Sequence, residues 1–387
     1  MTIKAITVPK WGLAMEEGEF LSWLVAPGDE IRLGQEIAEI ETTKIAGTVE
    51  AAASGTVRRL VAKEQQVLPV GALLAVLTDE NESDEDIEDF IEKFQVPGCD
   101  DLGKMTNAGP RTERLSLGDL DIFYFEYVPE QVDLRKPPIL FVHGFGGDSG
   151  NWLFNIEKFG AAQRVIALDL PGHGQSSKRF ADGSITGLAK TLQLFLDNLG
   201  LSRVQVVGHS LGAAIALRFA LLNPERVAGL VLICPALVGK AVNREYISAF
   251  INARTRKQMK PVLQTLFADA ALVTGEVIED ILRYKRLDGV DAALQCIAEA
   301  SLLHTDFAFN ATEVAHLNVP ITLVWGVSDK ILSDGATCLV IEKPAAEYRV
   351  KNSGHMPHVE NSAMVNGIIE RHLLMSNSCY YFFPQHG

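Results

Sequence analysis

Val204-Gln-Val-Val-Gly-His-Ser210-Leu-Gly-Ala-Ala-Ile-Ala-Leu-Arg-Phe219 runs from an apolar β-type segment straight into an apolar helical one. The join is Gly208-His209-Ser210-Leu211-Gly212. A strand-to-helix turn this sharp leaves no room for side chains at its flanks, hence the two glycines. It lifts the serine hydroxyl to the carboxyl edge of a sheet, at a helix N-terminus. Serine at its ordinary pKa is a poor nucleophile, so a base must lie nearby.

Working outward, Pro138–Val142, Arg164–Leu168, Gly229–Ile233, Ile321–Trp325 and Tyr348–Val350 are further apolar β-type runs, with helical stretches such as Ala189–Leu199 between them. Near-continuous apolar strands alternating with helices predict a parallel sheet covered on both faces. Trp325-Gly-Val-Ser-Asp329 places an acid just beyond one strand and Asn352-Ser-Gly-His355 a base just beyond the next. The expected roles are Ser210 as nucleophile, His355 as proton shuttle and Asp329 as the group that fixes the imidazole tautomer. Asp334 and His358 are the alternatives for acid and base. His143-Gly-Phe-Gly-Gly147 follows the first of these strands. The backbone N–H groups of Phe145 and Leu211 are the expected oxyanion donors, with His143 bracing the loop.

Residues 113 to about 375 resemble the α/β-hydrolase family, a likeness strengthened by the turn Asp169-Leu-Pro-Gly-His-Gly-Gln-Ser176. That family inserts a cap between two core strands, which implies a helical cap at about residues 237–311. The segment from Ser376 to Gly387 is an aromatic tail.

Residues 1–78 have a different character. Val25-Ala26 and Ile31 reappear 36 residues later as Val61-Ala62 and Val67, and Gly34, Ile37 and Ile40 recur as Gly71, Leu74 and Leu77. Short alternating strands with turn signals predict two small antiparallel sheets related by a pseudo-twofold. Pro27-Gly-Asp29, Glu41-Thr-Thr-Lys44 and Gly55, eleven residues past the lysine, resemble a lipoyl domain. The resemblance implies a flattened all-β barrel with lipoic acid amide-linked to Lys44. Thr43 stands where that family commonly has aspartate.

Between these parts, residues 79–112 form an acidic linker. From Asp79 to Asp101 there are eleven acidic residues and one lysine, a net of −10 out of −14 for the 387-residue chain. Ile87, Phe90, Ile91 and Phe94 recur at helical spacing, with Ser83 before them and Pro97-Gly98 after, predicting a short amphipathic helix. It is expected to fold back on the large domain or to dock on a partner subunit.

The net charge and the absence of a basic cluster argue against nucleic-acid binding. No apolar run reaches the roughly 18 residues of a membrane span. Five scattered cysteines give neither a disulfide framework nor a zinc site, and the N-terminus lacks a signal peptide's apolar centre, so a cytoplasmic protein without a bound metal is expected.

Together, a lipoyl-like part and an α/β-hydrolase-like part resemble the dihydrolipoyllysine-residue acetyltransferase components of bacterial acetoin-cleaving systems. That implies an acyltransferase moving acetyl from lipoyl-Lys44 to coenzyme A. The partners implied are thiamine-diphosphate-dependent acetoin dehydrogenase subunits, dihydrolipoamide dehydrogenase and a lipoate-attaching enzyme, in an oligomeric complex. The signature of 2-oxo-acid dehydrogenase acyltransferases, His followed by Asp-Gly, is missing, since His304-Thr-Asp-Phe307 lacks the glycine. The rival expectations are a hydrolase of esters, thioesters or carbon–carbon bonds fused to a carrier, and a non-catalytic scaffold for the carrier.

Overall fold

Alternation builds the first unit. In Glu36–Glu41 the isoleucines and Ala38 point inward while Glu36, Glu39 and Glu41 stay exposed, a register shift near Ile37 bringing two successive residues to the core. The computed structural model describes residues 3–8, 17–32, 34–41, 46–51, 53–78, 82–94, 109–129, 133, 136–238, 240–303, 309, 311–334, 341 and 344–378. The chain divides into Met1–Thr106 and Asn107–Gly387.

The first unit contains β1 (Lys4–Thr7), β2 (Glu17–Trp23), β3 (Glu30–Ile31), β4 (Glu36–Glu41), β5 (Ala46–Glu50), β6 (Gly55–Leu60), β7 (Gln66–Pro69) and β8 (Leu73–Thr78). They form two antiparallel four-stranded sheets, β1-β8-β6-β3 and β5-β4-β2-β7. Exchanging β1 with β5, β2 with β6, β3 with β7 and β4 with β8 turns one order into the other. The sequence repeat is therefore a pseudo-twofold, with Phe20, Ile37, Ile40, Leu74 and Leu77 buried between the sheets. Glu41 pairs with Ala46 at the open end of β4 and β5; Lys44, between them, lies outside the described residues.

Helix α1 (Asp84–Lys93) starts at Ser83, whose hydroxyl accepts the Asp86 N–H, and carries acids in its first turn and Lys93 in its last, as the helix dipole favours. It seats within the first unit. Ile87 is buried against Leu73 and Val76 of β8, with Phe90, Ile91 and Phe94 beside it. Arg58 and Arg59 of β6 pair with Asp84 and Glu88. The reason is β8 itself: Leu73-Leu-Ala-Val-Leu-Thr78 is buried along its whole length, so both faces need cover, and α1 supplies the outer one.

In the second unit the strands are β9 (Gly109–Leu117), β10 (Leu120–Val128), β11 (Ile139–Val142), β12 (Val165–Leu168), β13 (Val204–His209), β14 (Val227–Ile233), β15 (Lys240–Val242), β16 (Ile321–Gly326), β17 (Leu332–Asp334) and β18 (Ala346–Val350). The sheet order is β18-β16-β14-β13-β11-β12-β10-β9. All neighbours are parallel from β18 to β12, while β10 runs antiparallel to β12 and β9 to β10. The β9–β10 hairpin thus begins four residues before position 113. Buried Glu126 joins Arg111 and Arg164 across this edge.

Helices α2 (Leu153–Gly160), α3 (Ile185–Asn198) and α4 (Leu211–Leu222) accompany the early strands. A run of helices follows between β14 and β16: α5 (Arg244–Asn252), α6 (Arg256–Gln264), α7 (Gly275–Lys285), α8 (Val290–Ile297) and α9 (Ala311–Ala315). Helices α10 (Pro357–Glu360) and α11 (Ser362–Ser378) end the unit. Helices α3 and α4 pack together on one face of the sheet, α2 and α11 on the other. Of the tail, residues 376–378 belong to α11 and residues 379–387 lie outside the described residues. The chain moves from β11 outward to β12 and returns to add β13 on the other side, so the topological switch falls between β11 and β13, where open α/β sheets bind ligands.

Candidate active site

Ser210 sits at that switch, between β13 and α4, with φ +52° and ψ −116°. This backbone is outside the regions open to ordinary residues, a strain of about 1–3 kcal/mol that the neighbours must hold in place. They do so closely. A Cβ on Gly208 would lie 2.6 Å from Ala213 Cα, and one on Gly212 would lie 2.2 Å from the Val142 carbonyl oxygen. The Ser210 N–H donates to Ile233, and its carbonyl accepts from Ala213, Ala214 and Ala236.

His355 follows β18 and Asp329 follows β16. The Ser210 Oγ is 2.9 Å from His355 Nε2, and His355 Nδ1 is 2.8 Å from Asp329 Oδ2. A carboxylate can only accept, so Nδ1 carries the proton and Nε2 presents a lone pair to the serine hydroxyl. Asp329 Oδ1 accepts the N–H groups of Ile331 and Leu332 at 2.8 and 3.1 Å. Burial pushes the Asp329 carboxyl up, but His355 and these two amides outweigh it and hold it below its ordinary value. Cys234 lies close enough for its Sγ, an Asp329 oxygen and a His355 nitrogen to fall within 4.8 Å of one another. The facing nitrogen and oxygen are already joined by the 2.8 Å hydrogen bond.

The alternatives fall elsewhere. His358 is buried, stacked at 4.4 Å on Trp152 and 4.5 Å from the His209 ring, and makes no hydrogen bond among the described residues. Asp334 lies on β17, opposite Lys240 of β15.

The loop after β11 carries Phe145. Among the described residues no acceptor takes its N–H, nor that of Leu211, the first residue of α4. His143 braces this loop: its Nε2 accepts the Leu170 N–H at 2.9 Å and its Nδ1 donates to the Gly144 carbonyl at 2.7 Å. Asp169 clamps the loop after β12, accepting from Ser149 at 2.8 Å and Gln175 at 2.7 Å. Two positioning groups had no sequence signal of their own. Glu360 accepts from Gly354 and from Ala268, both at 2.7 Å, joining the cap to the loop that carries His355. Lys285 of α7 donates to the carbonyls of Phe250 and Ile251 at the end of α5.

A cavity opens over Ser210 and His355, walled by Phe145 on one hand and by Tyr246, Phe250, Leu263, Val277 and Leu302 of the cap among others. Among the described residues no Asp, Glu, Lys or Arg lines it. Burial pushes the Tyr246 phenol well up, so the lining there is neutral.

Comparison with known proteins places both units. The alpha/beta hydrolase fold family matches residues 137–362, and a family described as biotin-requiring enzyme matches residues 4–77. A dihydrolipoyllysine-residue acetyltransferase component of an acetoin cleaving system from Pseudomonas putida is 40% identical over 365 residues, covering 94% of this chain and 96% of that one. This chain belongs to that family of acetyltransferase components. The namesake from Cupriavidus necator is 39% identical, with 96% and 98% covered. This chain thus joins a lipoyl-type unit to an α/β-hydrolase unit. Among solved structures, 2-hydroxy-6-oxo-6-phenylhexa-2,4-dienoate hydrolase from Rhodococcus superposes on the second unit with a TM-score of 0.60 at 18% identity, covering 68% of this chain and 98% of that one. A bacterial membrane phospholipase A gives 0.59 at 24% identity, with 69% and 87% covered. Both share the fold.

Proposed function

We propose that this chain carries an acyl group on Lys44 and passes it through Ser210 to the thiol of coenzyme A, as the acetyltransferase component of an acetoin-cleaving complex. The observation that carries the reading is the Ser210–His355–Asp329 hydrogen-bonded series in a chain whose other unit pairs β4 with β5, the strands that flank Lys44 in the sequence. The donor set fits a covalent arm: a lysine in a four-residue connection between paired strands is tied at both ends to a folded unit. A lipoyl group bound there supplies a thiol that holds an acyl group as a thioester.

The residues of the large unit then divide the work. Ser210 Oγ attacks the thioester carbonyl carbon while His355 Nε2 takes the hydroxyl proton. The N–H groups of Phe145 and Leu211 hold the oxyanion. His355 would return the proton to the leaving sulfur as the carbon–sulfur bond breaks, and Ser210 would be left as its acyl ester. The coenzyme A thiol reverses the sequence: its proton goes to His355, its sulfur takes the acyl group, and the proton returns to Ser210 Oγ. Asp329 stays ionised and steadies the imidazolium. Water, at roughly 55 M, competes with about millimolar coenzyme A, a bias of about 6 kcal/mol that the thiol's nucleophilicity and a closed apolar cap must offset.

Thiamine-diphosphate-dependent dehydrogenase subunits would load the arm, dihydrolipoamide dehydrogenase would reoxidise it, and a lipoate-attaching enzyme would install it, all in the cytoplasm. No helix among the described residues is long and apolar enough to cross a membrane.

The test is to supply S-acetyldihydrolipoamide and coenzyme A to the full chain. Acetyl-coenzyme A is the expected product, and Ser210→Ala should lower its formation by at least about a thousandfold. Free acetate alone would make the large unit a thioesterase; unchanged turnover in Ser210→Ala would remove Ser210 from the reaction.

A further inference from the structure

We propose that the site takes acyl groups of about four to six carbons as well as acetyl; this deepens, and rests on, the reading of Ser210 as the acyl-carrying nucleophile. The cavity over Ser210 holds about 110 Å³ and is walled mostly by apolar and aromatic side chains, with Asn151, His209, Ser210 and His355 as its polar part. A dry apolar cavity of about 150 Å³ accommodates a six-carbon ring. By that measure 110 Å³ suits roughly four carbons, where the methyl of an acetyl group fills only one. The remainder would be left as apolar space of little use to an enzyme restricted to acetyl.

The space belongs to the acyl side for a topological reason. Both thiols in the reaction are attached to large carriers, one a protein and the other a phosphorylated nucleotide, so each must leave by the open side of the site. The acyl group is the only free end of the substrate, so it is the part that a cavity closed at its far end can hold. The lining agrees, since among the described residues no Asp, Glu, Lys or Arg faces the cavity to receive phosphates. Val277 of α7, lining the cavity yet 38% exposed, marks where it opens. Each added methylene buried in the transition state should raise kcat/KM about fourfold. Two of them give about fifteenfold, until the cavity is full.

The experiment compares S-acetyl-, S-butyryl-, S-hexanoyl- and S-decanoyl-dihydrolipoamide as donors to the full chain, reading thiol release. An optimum at butyryl or hexanoyl, at least tenfold above acetyl, is expected, with a fall at decanoyl. Acetyl as the fastest donor would overturn the proposal. So would a strong preference for acetyl-dihydrolipoamide over acetyl-cysteamine without any effect of acyl length, because the aliphatic chain would then lie on the thiol side. Calorimetric binding of the same series to the Ser210→Ala chain reads the cavity without turnover. Tighter binding of butyryl than acetyl there, with turnover unaffected by Ser210→Ala, would sink the nucleophile and keep the cavity. Equal binding, with turnover lost, would do the reverse. Leu263→Phe should cut the butyryl-to-acetyl ratio severalfold, and Val277→Phe at the mouth serves if the first variant fails to fold; an unchanged ratio in the folded variant overturns the inference.

Discussion

The Nε2 of His209 lies 2.8 Å from the backbone carbonyl oxygen of His355. A carbonyl only accepts, so His209 is the donor, and burial together with the neighbouring His358 and His355 holds its imidazole neutral far below its ordinary pKa. The residue before Ser210 thereby grips the loop that carries His355, while its Nδ1 comes so close to Gly144 that a Cβ there would sit 2.8 Å away. One ring thus reaches three segments: the turn that carries Ser210, the loop that carries His355 and the loop that carries Phe145.

Replacing His209 by leucine leaves that carbonyl without a partner, a loss of about 1–3 kcal/mol. Because it acts through the placement of His355, the expected effect is a fall in kcat of roughly ten- to a hundredfold with KM little changed. His209→Gln, which keeps an N–H donor, should recover part of the rate. Equal loss in both variants would mean the ring matters only as filler.

Gly146 has φ +74°, and a Cβ there would meet Phe250 Cζ at 2.5 Å. Gly146→Ala is therefore strained in its backbone and displaces the ring that walls the cavity. Thermal melting of the large unit should show a loss of about 1–2 kcal/mol, and acyl-length preference should change with it, since Phe250 cannot keep its place.

Much of this was legible in the chain. The strands after residue 138, the serine turn and the positions of Asp329 and His355 follow from apolar runs and strand ends, which are local signals. What escaped depends on partners far along the sequence. His209 and His355 are 146 residues apart, and Glu360 joins loops whose approach depends on how the cap folds. The seat of α1 had a signal, the unbroken apolar run of β8, whose lack of alternation announces a second covered face. Short pairs such as β15 with β17 give no pattern long enough to read.

That seat makes a prediction about the first unit. Ile87 is 1% exposed and packs on Leu73 and Val76. Ile87→Ala in the full chain should destabilise the first unit by about 2–4 kcal/mol and lower its own thermal transition, leaving that of the large unit in place. If α1 were an extended tether, the transition would not move.

Acid stability offers the broadest check, because the large unit buries an unusual set of neutral imidazoles. Burial lowers His143 and His372 to about 4, and His173 and His358 to about 3, from an ordinary 6.5; His209 is lowered well below it too. In the unfolded chain all five protonate near their ordinary value, so below about pH 6.5 the unfolded state binds more protons. Stability is full above that pH and is lost as pH falls towards 4 and then 3. Each group contributes a slope approaching about 1.4 kcal/mol per pH unit, enough together to exhaust a stability of about 5–15 kcal/mol within roughly two units. Asp329, held low, acts in the same direction at lower pH. Calorimetric melting at pH 7.5, 6 and 5 should show a steep fall in the large unit's transition, with proton uptake on unfolding; a flat profile would contradict the burial of these rings. His358→Phe is the cleanest single variant. Both its nitrogens lack partners among the described residues and its ring stacks on Trp152, so phenylalanine keeps the packing and should remove about one proton from that uptake.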